Sequence, residues 1–501
     1  MNLWKKESYV NLFPFVPDDI ALKSVQLLNT LSSRKSNEKS TELRMEGNTQ
    51  FGTGQWSVAM DLYTKSLCYA ETGSENVALA YSNRSACFVK MRMYKEAIVD
   101  IQLAKEANFP ERLVPKLEQR ERDCRKLMSS VKTPPKYVCK LSYAADKNFP
   151  GMANVVEIKC DEEFGRHLIA KRDIPAGQTV MLEDCYVLVR TDVHLLCQTC
   201  YCANANFIAC KQCPDAVFCS NDCINRNHFH KWECNMPKAW NDDIQFQIRA
   251  VVRAIEAFTN VDDLMQFVDS TLREDPKKLP TSMHDSKAKY HFYFKLQRQE
   301  SKSSEQLGMG KMYESVVSNP KIAALFNTTE KQRFLMHLVA HNILIMKNNS
   351  LGNESNLTVA HLHSLMNHSC APNTATYAAG NQRFTVTVRP VKKGQQLCSP
   401  YLDCTGVRSL EERHTALKSG WNFVCKCEQC VCDDKPINVE QIISNPCMRF
   451  VTQNFAYEDK QHDVMKKCLS YLNNNGHQRW SKEMQMMASM LAGVYKKKYS
   501  Y

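Results

Sequence analysis

No run of about eighteen apolar residues occurs anywhere in this 501-residue chain, so nothing in it reads as a membrane-spanning helix. The opening, MNLWKKESYVNLFPFVPDDI, carries no apolar stretch of signal-peptide length. Charge of one sign is not concentrated either: the net +12 is spread along the chain, apart from Lys496, Lys497 and Lys498. A nucleic-acid-binding module would gather its cations on one face. These absences leave the cytoplasm and nucleus as the expected compartments. Thiols stay reduced there, so clustered members of the 23 cysteines read as metal ligands rather than disulfides. The length exceeds one hydrophobic core, and about two to four domains are expected.

Residues 1–40 form a polar leader. Residues 41–131 show a helical pattern that repeats: Gly47, Asn48, Phe51, Trp56, Ala59 and Tyr63, then Asn83, Ala86, Tyr94 and Ala97. The offsets Trp56 to Tyr94 and Ala59 to Ala97 are both 38 residues. That is the period of about 34 of a tetratricopeptide repeat plus an extension at ETGSEN. Small residues at 59 and 97 let paired helices approach, and the aromatics fill between them. Lys132-Thr133-Pro134-Pro135 ends the helices. Strand-like text follows in VVEIKC, HLIAKRDI and TVMLEDCYVLV, with turns at Asp161-Glu162 and Pro175-Ala176-Gly177. Helical patterning returns from Asp242 to about Asn342, with Ile248, Val251, Val252 and Ile255 on one face. FTVTV and QLCSPYL read as later strands, and the end of the chain reads as helical.

Cysteines cluster twice. Cys197/Cys200 and Cys210/Cys213 are pairs with two residues between; Cys219/Cys223 and His230/Cys234 have three between. Eight such ligands fill two tetrahedral zinc shells with no open position, which marks structural metal. A segment of this size could hardly build a core, and metal takes that place. The run, ending His230-Lys231-Trp232-Glu233-Cys234, resembles the MYND zinc finger. That resemblance implies interleaved shells: Cys197, Cys200, Cys219 and Cys223 on one ion, Cys210, Cys213, His230 and Cys234 on the other, with Cys202 and His228 as bystanders. Lys211, Arg226 and Lys231 balance Asp215, Asp222 and Glu233, so the finger is neutral and a poor phosphate binder; direct DNA binding is not expected. The second cluster, Cys425, Cys427 and Cys430, is one ligand short, with Cys370 as first candidate and Cys432 as competitor.

Asn367-His368-Ser369-Cys370 followed by Pro372-Asn373 resembles the signature of SET methyltransferases. Gly165-Arg166-His167-Leu168 with DIPAGQTV resembles the opening SET strands, and Gly394-Gln395-Gln396-Leu397-Cys398-Ser399-Pro400-Tyr401 the strand bearing the catalytic tyrosine. With the helical repeats in front, the best match is the tetratricopeptide-bearing subgroup of the SET and MYND domain-containing family of protein-lysine methyltransferases. The fold class implied is multidomain α+β: repeats at 41–131, a pseudoknotted β SET domain in two parts (150–196 and 336–403), a MYND finger at 197–234, and a helical insert at 238–335. A cysteine-rich post-SET segment at 404–434 and short C-terminal helices at 435–501 complete it.

The resemblance implies transfer of methyl from S-adenosylmethionine to a lysine of a histone or non-histone protein, with transcriptional regulation as the expected setting, and three zinc ions. Tyr401 would be catalytic. Gly165, Arg166, His167, Asn342, Asn367, His368, Tyr401 and Phe423 would hold the cofactor. Glycine permits close backbone approach, the asparagine amides pair with amino and carboxylate groups, His368 hydrogen-bonds adenine or braces the knot, and Phe423 offers a flat face to the ring. Three departures from the family pattern stand out: Trp421 where relatives have tyrosine, Pro400 without an N–H, and His167 in place of glycine. The expected outcome is a tight lysine channel that adds a single methyl.

Arg44, Asn48, Asn83, Lys116 and Arg120 resemble the clamp by which some tetratricopeptide proteins hold the acidic C-terminal tails of cytosolic heat-shock chaperones. MYND fingers bind short peptides, such as those of co-repressors or histone deacetylases. The alternative function is therefore a weak or inactive adaptor recruiting chaperones or co-repressors.

Overall fold

The structure is a computed structural model. It describes residues 34–128, 139–190, 194–203, 206–236, 241–298, 306–350, 356–402, 408–431, 440, 444–476 and 481–499. The first 33 residues of the leader, the Lys132–Pro135 break and Cys432 lie outside the described residues. No helix among the described residues is long and apolar enough to cross a membrane.

The described residues open with five α-helices: α1 (Asn37–Gly52), α2 (Trp56–Tyr69), α3 (Glu75–Lys90), α4 (Tyr94–Glu106) and α5 (Val114–Met128). α1 starts ahead of the expected boundary at 41 because Ser36 caps it, accepting from the Lys39 N–H at 3.2 Å. Small residues bring the helices together. A Cβ on Gly47 would lie 2.6 Å from the Tyr63 ring, so only glycine fits below that aromatic. Ala59 and Ala97 are fully buried.

Four strands follow. β1 (Val156–Asp161) and β2 (Gly165–Ala170) form an antiparallel hairpin, while β3 (Thr179–Asp184) and β4 (Val187–Arg190) separate into different sheets. The sequence TVMLEDCYVLV reads as one strand. It breaks at Cys185-Tyr186 because Cys185 N–H donates to Asn381 O and Tyr186 N–H to Val359 O, on two different partner segments.

The cysteine-rich segment holds β5 (Ile208–Ala209), β6 (Val217–Phe218), α6 (Asn221–Asn225) and α7 (His230–Glu233). A helical block comes next: α8 (Asp242–Glu256), α9 (Val261–Thr271), α10 (Ser286–Phe294), α11 (Gln306–Val317), α12 (Pro320–Leu325) and α13 (Thr329–Asn349). Ile248, Val251 and Val252 of α8 enter the main core, which the block shares with β2, β3 and β4.

The strands resume as β7 (Asn356–Val359), β8 (Asn367–His368), β9 (Thr374–Ala379), β10 (Gln382–Thr387) and β11 (Cys398–Ser399). β10 lies between β3 and β9, β7 pairs with β4, and β11 runs parallel to β8. QLCSPYL therefore yields only two strand residues, since Pro400 has no N–H to continue the ladder. α14 (Leu410–Trp421), α15 (Glu428–Val431), α16 (Pro446–Asn454), α17 (Gln461–Asn475) and α18 (Lys482–Tyr499) close the chain. The last three cover the outer face of the β9–β10 sheet, packing Met448, Val451, Leu472 and Leu491 against Phe384, Val386 and Val388.

The cysteine-rich segment is gripped from two sides. Arg249 on α8 is buried and forks onto Glu233 at 2.6 and 2.8 Å, and it also donates to the Tyr201 hydroxyl and Leu188 O. From the N-terminal helices, buried Arg84 pairs with Asp100 at 2.7 and 2.8 Å and donates to Phe207 O at 2.9 Å. Asn206 returns a bond to Asp100 at 2.8 Å.

Asp100→Ala leaves the Arg84 guanidinium buried without its counter-charge, a situation that costs about 3–5 kcal/mol. Chemical denaturation should show the N-terminal helices unfolding at clearly lower denaturant in this variant.

Candidate functional site

A cavity of about 550 Å³ opens where β2, the end of α13, the segment before β8, and the residues after β11 converge. Gly165, Arg166, Asn367 and Tyr401 line it, although they lie far apart in sequence. Gly165 adopts φ +61, and a Cβ there would meet nothing within 4 Å. The positive φ favours glycine, and the open space is a cradle for a ligand against bare backbone. Asn367 Nδ2 donates to Phe164 O and Gln396 Oε1, both at 3.1 Å, which fixes its amide at the rim. Arg166 donates to Lys295 O, and burial holds its guanidinium below its usual pKa.

Tyr401 closes the inner end. Its hydroxyl donates to Met366 O at 2.7 Å, and burial pushes its phenol well above the ordinary value, so it stays protonated. Trp421 packs beside it with ring centroids 5.2 Å apart.

His368 is a brace rather than a wall residue. Its Nδ1 accepts from the Tyr401 N–H at 2.9 Å, so Nε2 carries the proton and faces Cys370 Sγ at 3.2 Å. Phe423 leans on His368 and Tyr401, at 5.9 and 6.4 Å between centroids, and is not among the lining residues. His167 also stands back: its Nδ1 meets Gly165 O at 3.0 Å and its ring backs Phe164.

Asn342 is not among the lining residues. It is buried in the helical core, where its Oδ1 accepts from Tyr293 OH at 3.3 Å. The cavity instead takes Asn348 and Asn349. Asn349 lies seven residues further along α13, two turns of the same helix face. Its Nδ2 is held by Gln297 O at 2.7 Å and Ile345 O at 2.8 Å. Counting turns from Asn342 could have found it. Gln297 and Ser350, also in the lining, carry no motif that would give them away.

Three groups of potential metal ligands form among the described residues: Cys197, Cys200, Cys219 and Cys223; Cys210, Cys213, His230 and Cys234; and Cys370, Cys425, Cys427 and Cys430. Within each, the ligand atoms all lie within 4.8 Å of one another. The donor chemistry and tetrahedral number fit zinc. The first two groups interleave along the chain. The third joins Cys370, two residues after β8, to Cys425 and Cys427 in the loop after α14 and Cys430 on α15. Cys398 stays outside it, as a buried thiol pushed up to about 12. Cys202 and His228 belong to none of the groups. His228 instead faces Glu256 at 3.1 Å.

The model of the SET domain family matches residues 165–402. Those residues are similar to a SET domain. The chain is similar to the protein-lysine N-methyltransferase SMYD4 of Danio rerio, with 26% identity over 44% of this chain and 32% of the relative. SMYD4 of Mus musculus matches at 22% over 82% of this chain and 69% of its own length. The N-lysine methyltransferase SMYD2 of Homo sapiens matches at 24% over 55% and 60%. The chain thus spans about a third of the zebrafish relative and somewhat over two thirds of the mouse one. A solved structure of Rubisco LSMT bound to sinefungin and monomethyllysine aligns with 69% of this chain and 85% of its own at 11% identity and a TM-score of 0.30.

The wall that holds Tyr401 and the end of α14 with its following loop, which hold Trp421 and Phe423, meet through the third thiol group. Cys370→Ser removes one of its four donors. Elemental analysis of the purified variant should show one bound metal ion fewer than the unaltered chain.

Proposed function

We propose that the chain is a protein-lysine N-methyltransferase using S-adenosylmethionine. The observation that carries this is the convergence of Gly165, Asn367 and Tyr401 on one cavity, with the family match over the same residues. The cofactor supplies a methyl group activated on a sulfonium. The open backbone at Gly165, the amides of Asn367, Asn348 and Asn349, and the Arg166 guanidinium suit its polar amino-acid end.

The acceptor lysine must arrive as a neutral amine, although its ordinary pKa is about 10.4. The aromatic pair Tyr401 and Trp421 desolvates that amine and favours loss of its proton. Tyr401 stays a phenol and can accept a hydrogen bond from the nitrogen while its own O–H donates to Met366 O. Alignment of the nitrogen against a fixed wall then supplies most of the acceleration. Trp421 adds bulk at this point, and we read the product as monomethyl-lysine on a histone or other protein.

The three ligand groups are read as three structural zinc ions, 197–234 as a MYND finger, and the N-terminal helices as tetratricopeptide repeats. The parallel pairing of β8 with β11 supports the pseudoknot. Cytoplasm and nucleus are the compartments we assign. Co-repressor or histone deacetylase peptides remain the partner class for the neutral finger.

A second reading, adaptor function, is favoured by one observation. Arg44 and Arg120 lie near the same Tyr63 hydroxyl, which donates to Asn48 at 2.9 Å, and Asn83 donates to Asn48 at 3.0 Å. The Arg44 Nε is buried without a partner, while Arg120 is engaged with Ser82 O at 2.6 Å and the Ser85 hydroxyl at 2.8 Å. These groups suit a C-terminal carboxylate such as a chaperone tail.

Mass spectrometry of peptide arrays incubated with the protein and S-adenosylmethionine should show monomethyl-lysine. Tyr401→Phe should lower the rate by about a hundredfold through misplaced nitrogen. A protein that binds the cofactor calorimetrically yet methylates nothing would leave the adaptor reading in its place. For the groove, Lys116→Glu is the cleaner variant, because Lys116 is exposed whereas Arg120 ties helices together. It should abolish pull-down by an acidic chaperone-tail peptide without lowering the melting temperature.

A further inference from the structure

Glu183 is a buried carboxylate that the methyl-transfer reading leaves unused. It sits on β3, opposite Arg383 of β10 in register. A Cβ on Gly151 would lie 3.1 Å from the Glu183 Cβ, so glycine is what allows this strand to approach so closely. Both carboxyl oxygens are spent on one turn: Oε2 accepts from Leu362 N–H at 3.0 Å and Oε1 from His363 N–H at 2.8 Å.

That turn separates two cavities. His361 and Leu362 line a cleft of about 930 Å³, into which Glu183 also faces. His363 through Asn367 line the cofactor cavity. Three residues after His363 stands Met366, whose carbonyl holds the Tyr401 hydroxyl.

We propose that Glu183 is a positioning residue for the methyl-transfer cavity, a role that rests on the reading above: by gripping Leu362 and His363 it sets where Met366, Asn367 and therefore Tyr401 stand. The other supports of the turn are weaker in charge. His361 Nε2 meets Lys289 O at 2.9 Å, and His363 Nδ1 meets the Thr376 hydroxyl at 3.0 Å. Burial pushes both histidines down to about 3, so neither provides a cation at neutral pH.

The grip is proton-sensitive. Burial pushes Glu183 up to about 7, against the backbone N–H groups of Leu362, His363 and His361 that favour its ionised form. The titratable and charged groups around it are Asp184 on its own strand, Arg383 on the paired strand, and His361 and His363 on the turn. Arg253, Glu256, His284 and Lys289 line the cleft. The folded carboxyl has a raised pKa, so its contribution to the closed turn is full at low pH and is lost as pH rises through about 7. A neutral carboxyl can still accept both N–H bonds on oxygen lone pairs while its own proton points to the cleft. Glutamine cannot, because its amide nitrogen has no lone pair to offer.

Hydrogen exchange of the full chain, read on peptides covering 361–367 and corrected for intrinsic rates, tests this without any methyl transfer. Protection should fall roughly tenfold between pH 6 and 8.5 in the unaltered protein. Glu183→Gln should lower protection at pH 6 by at least about tenfold, the worth of a hydrogen bond to a polar anchor in a buried site, and should remove the pH dependence. Glu183→Asp, with a shorter reach, should lower protection while keeping the pH dependence. Protection in both variants equal to that of the unaltered chain at both pH values overturns the proposal. If the exchange results hold but no lysine is methylated, the enzyme reading fails and the grip stands. Where methylation is measured, Glu183→Gln should lower kcat with little change in acceptor KM.

Discussion

Four sulfurs held within 4.8 Å of one another, at Cys370, Cys425, Cys427 and Cys430, repel strongly once ionised unless a cation sits between them. Everything around the cavity leans on that constraint. Cys370 stands two residues beyond His368, whose ring orients the Tyr401 backbone. The other three follow directly on Trp421 and Phe423. A metal here fixes two chain segments 55 residues apart, one bearing the inner wall and the other the aromatic flank. His368 Nε2–H donates to the Cys370 sulfur, the outer-sphere bond that a thiolate would keep on binding a metal. The same imidazole therefore couples the metal to the tyrosine.

The parts of this arrangement that were legible in the sequence are those fixed by spacing or by backbone need. Cysteine pairs two or three residues apart announce metal because ligand reach is short. The groups that form in space are those that the resemblance implied, with Cys370 completing the third. Gly165 was legible because a residue without a side chain permits close approach to the backbone; its left-handed φ came only with the fold. Long-range side-chain direction was not legible. Asn342 sits on the right helix but two turns too early, and only the packing of α13 against Tyr293 decides that. His167, His368 and Phe423 were placed against the cofactor because of their neighbours in sequence. In the fold each stands one layer behind, supporting Phe164 or Tyr401. The break of TVMLEDCYVLV into two strands was hidden too, since local pattern cannot tell that Cys185 and Tyr186 bond to different segments.

The helical block and the C-terminal helices complete the SET sheets from opposite faces. The first shares the main core with β2, β3 and β4; the last three helices cover β9 and β10. The domain is thus divided in sequence but continuous in packing. The cysteine-rich finger lies between the buried forks of Arg84 and Arg249, each of which donates to a backbone carbonyl as well as to an acid.

Arg84 and Phe207 are 123 residues apart. During synthesis at about 5–20 residues per second, the N-terminal helices leave the ribosome roughly ten seconds before the finger that caps them. Through that interval Arg84 and Asp100 face water on one side, and the helices are only partly closed. Their last buried contact awaits the arrival of the cysteine-rich segment, so whatever folds that segment also completes a region that contains none of its candidate metal ligands.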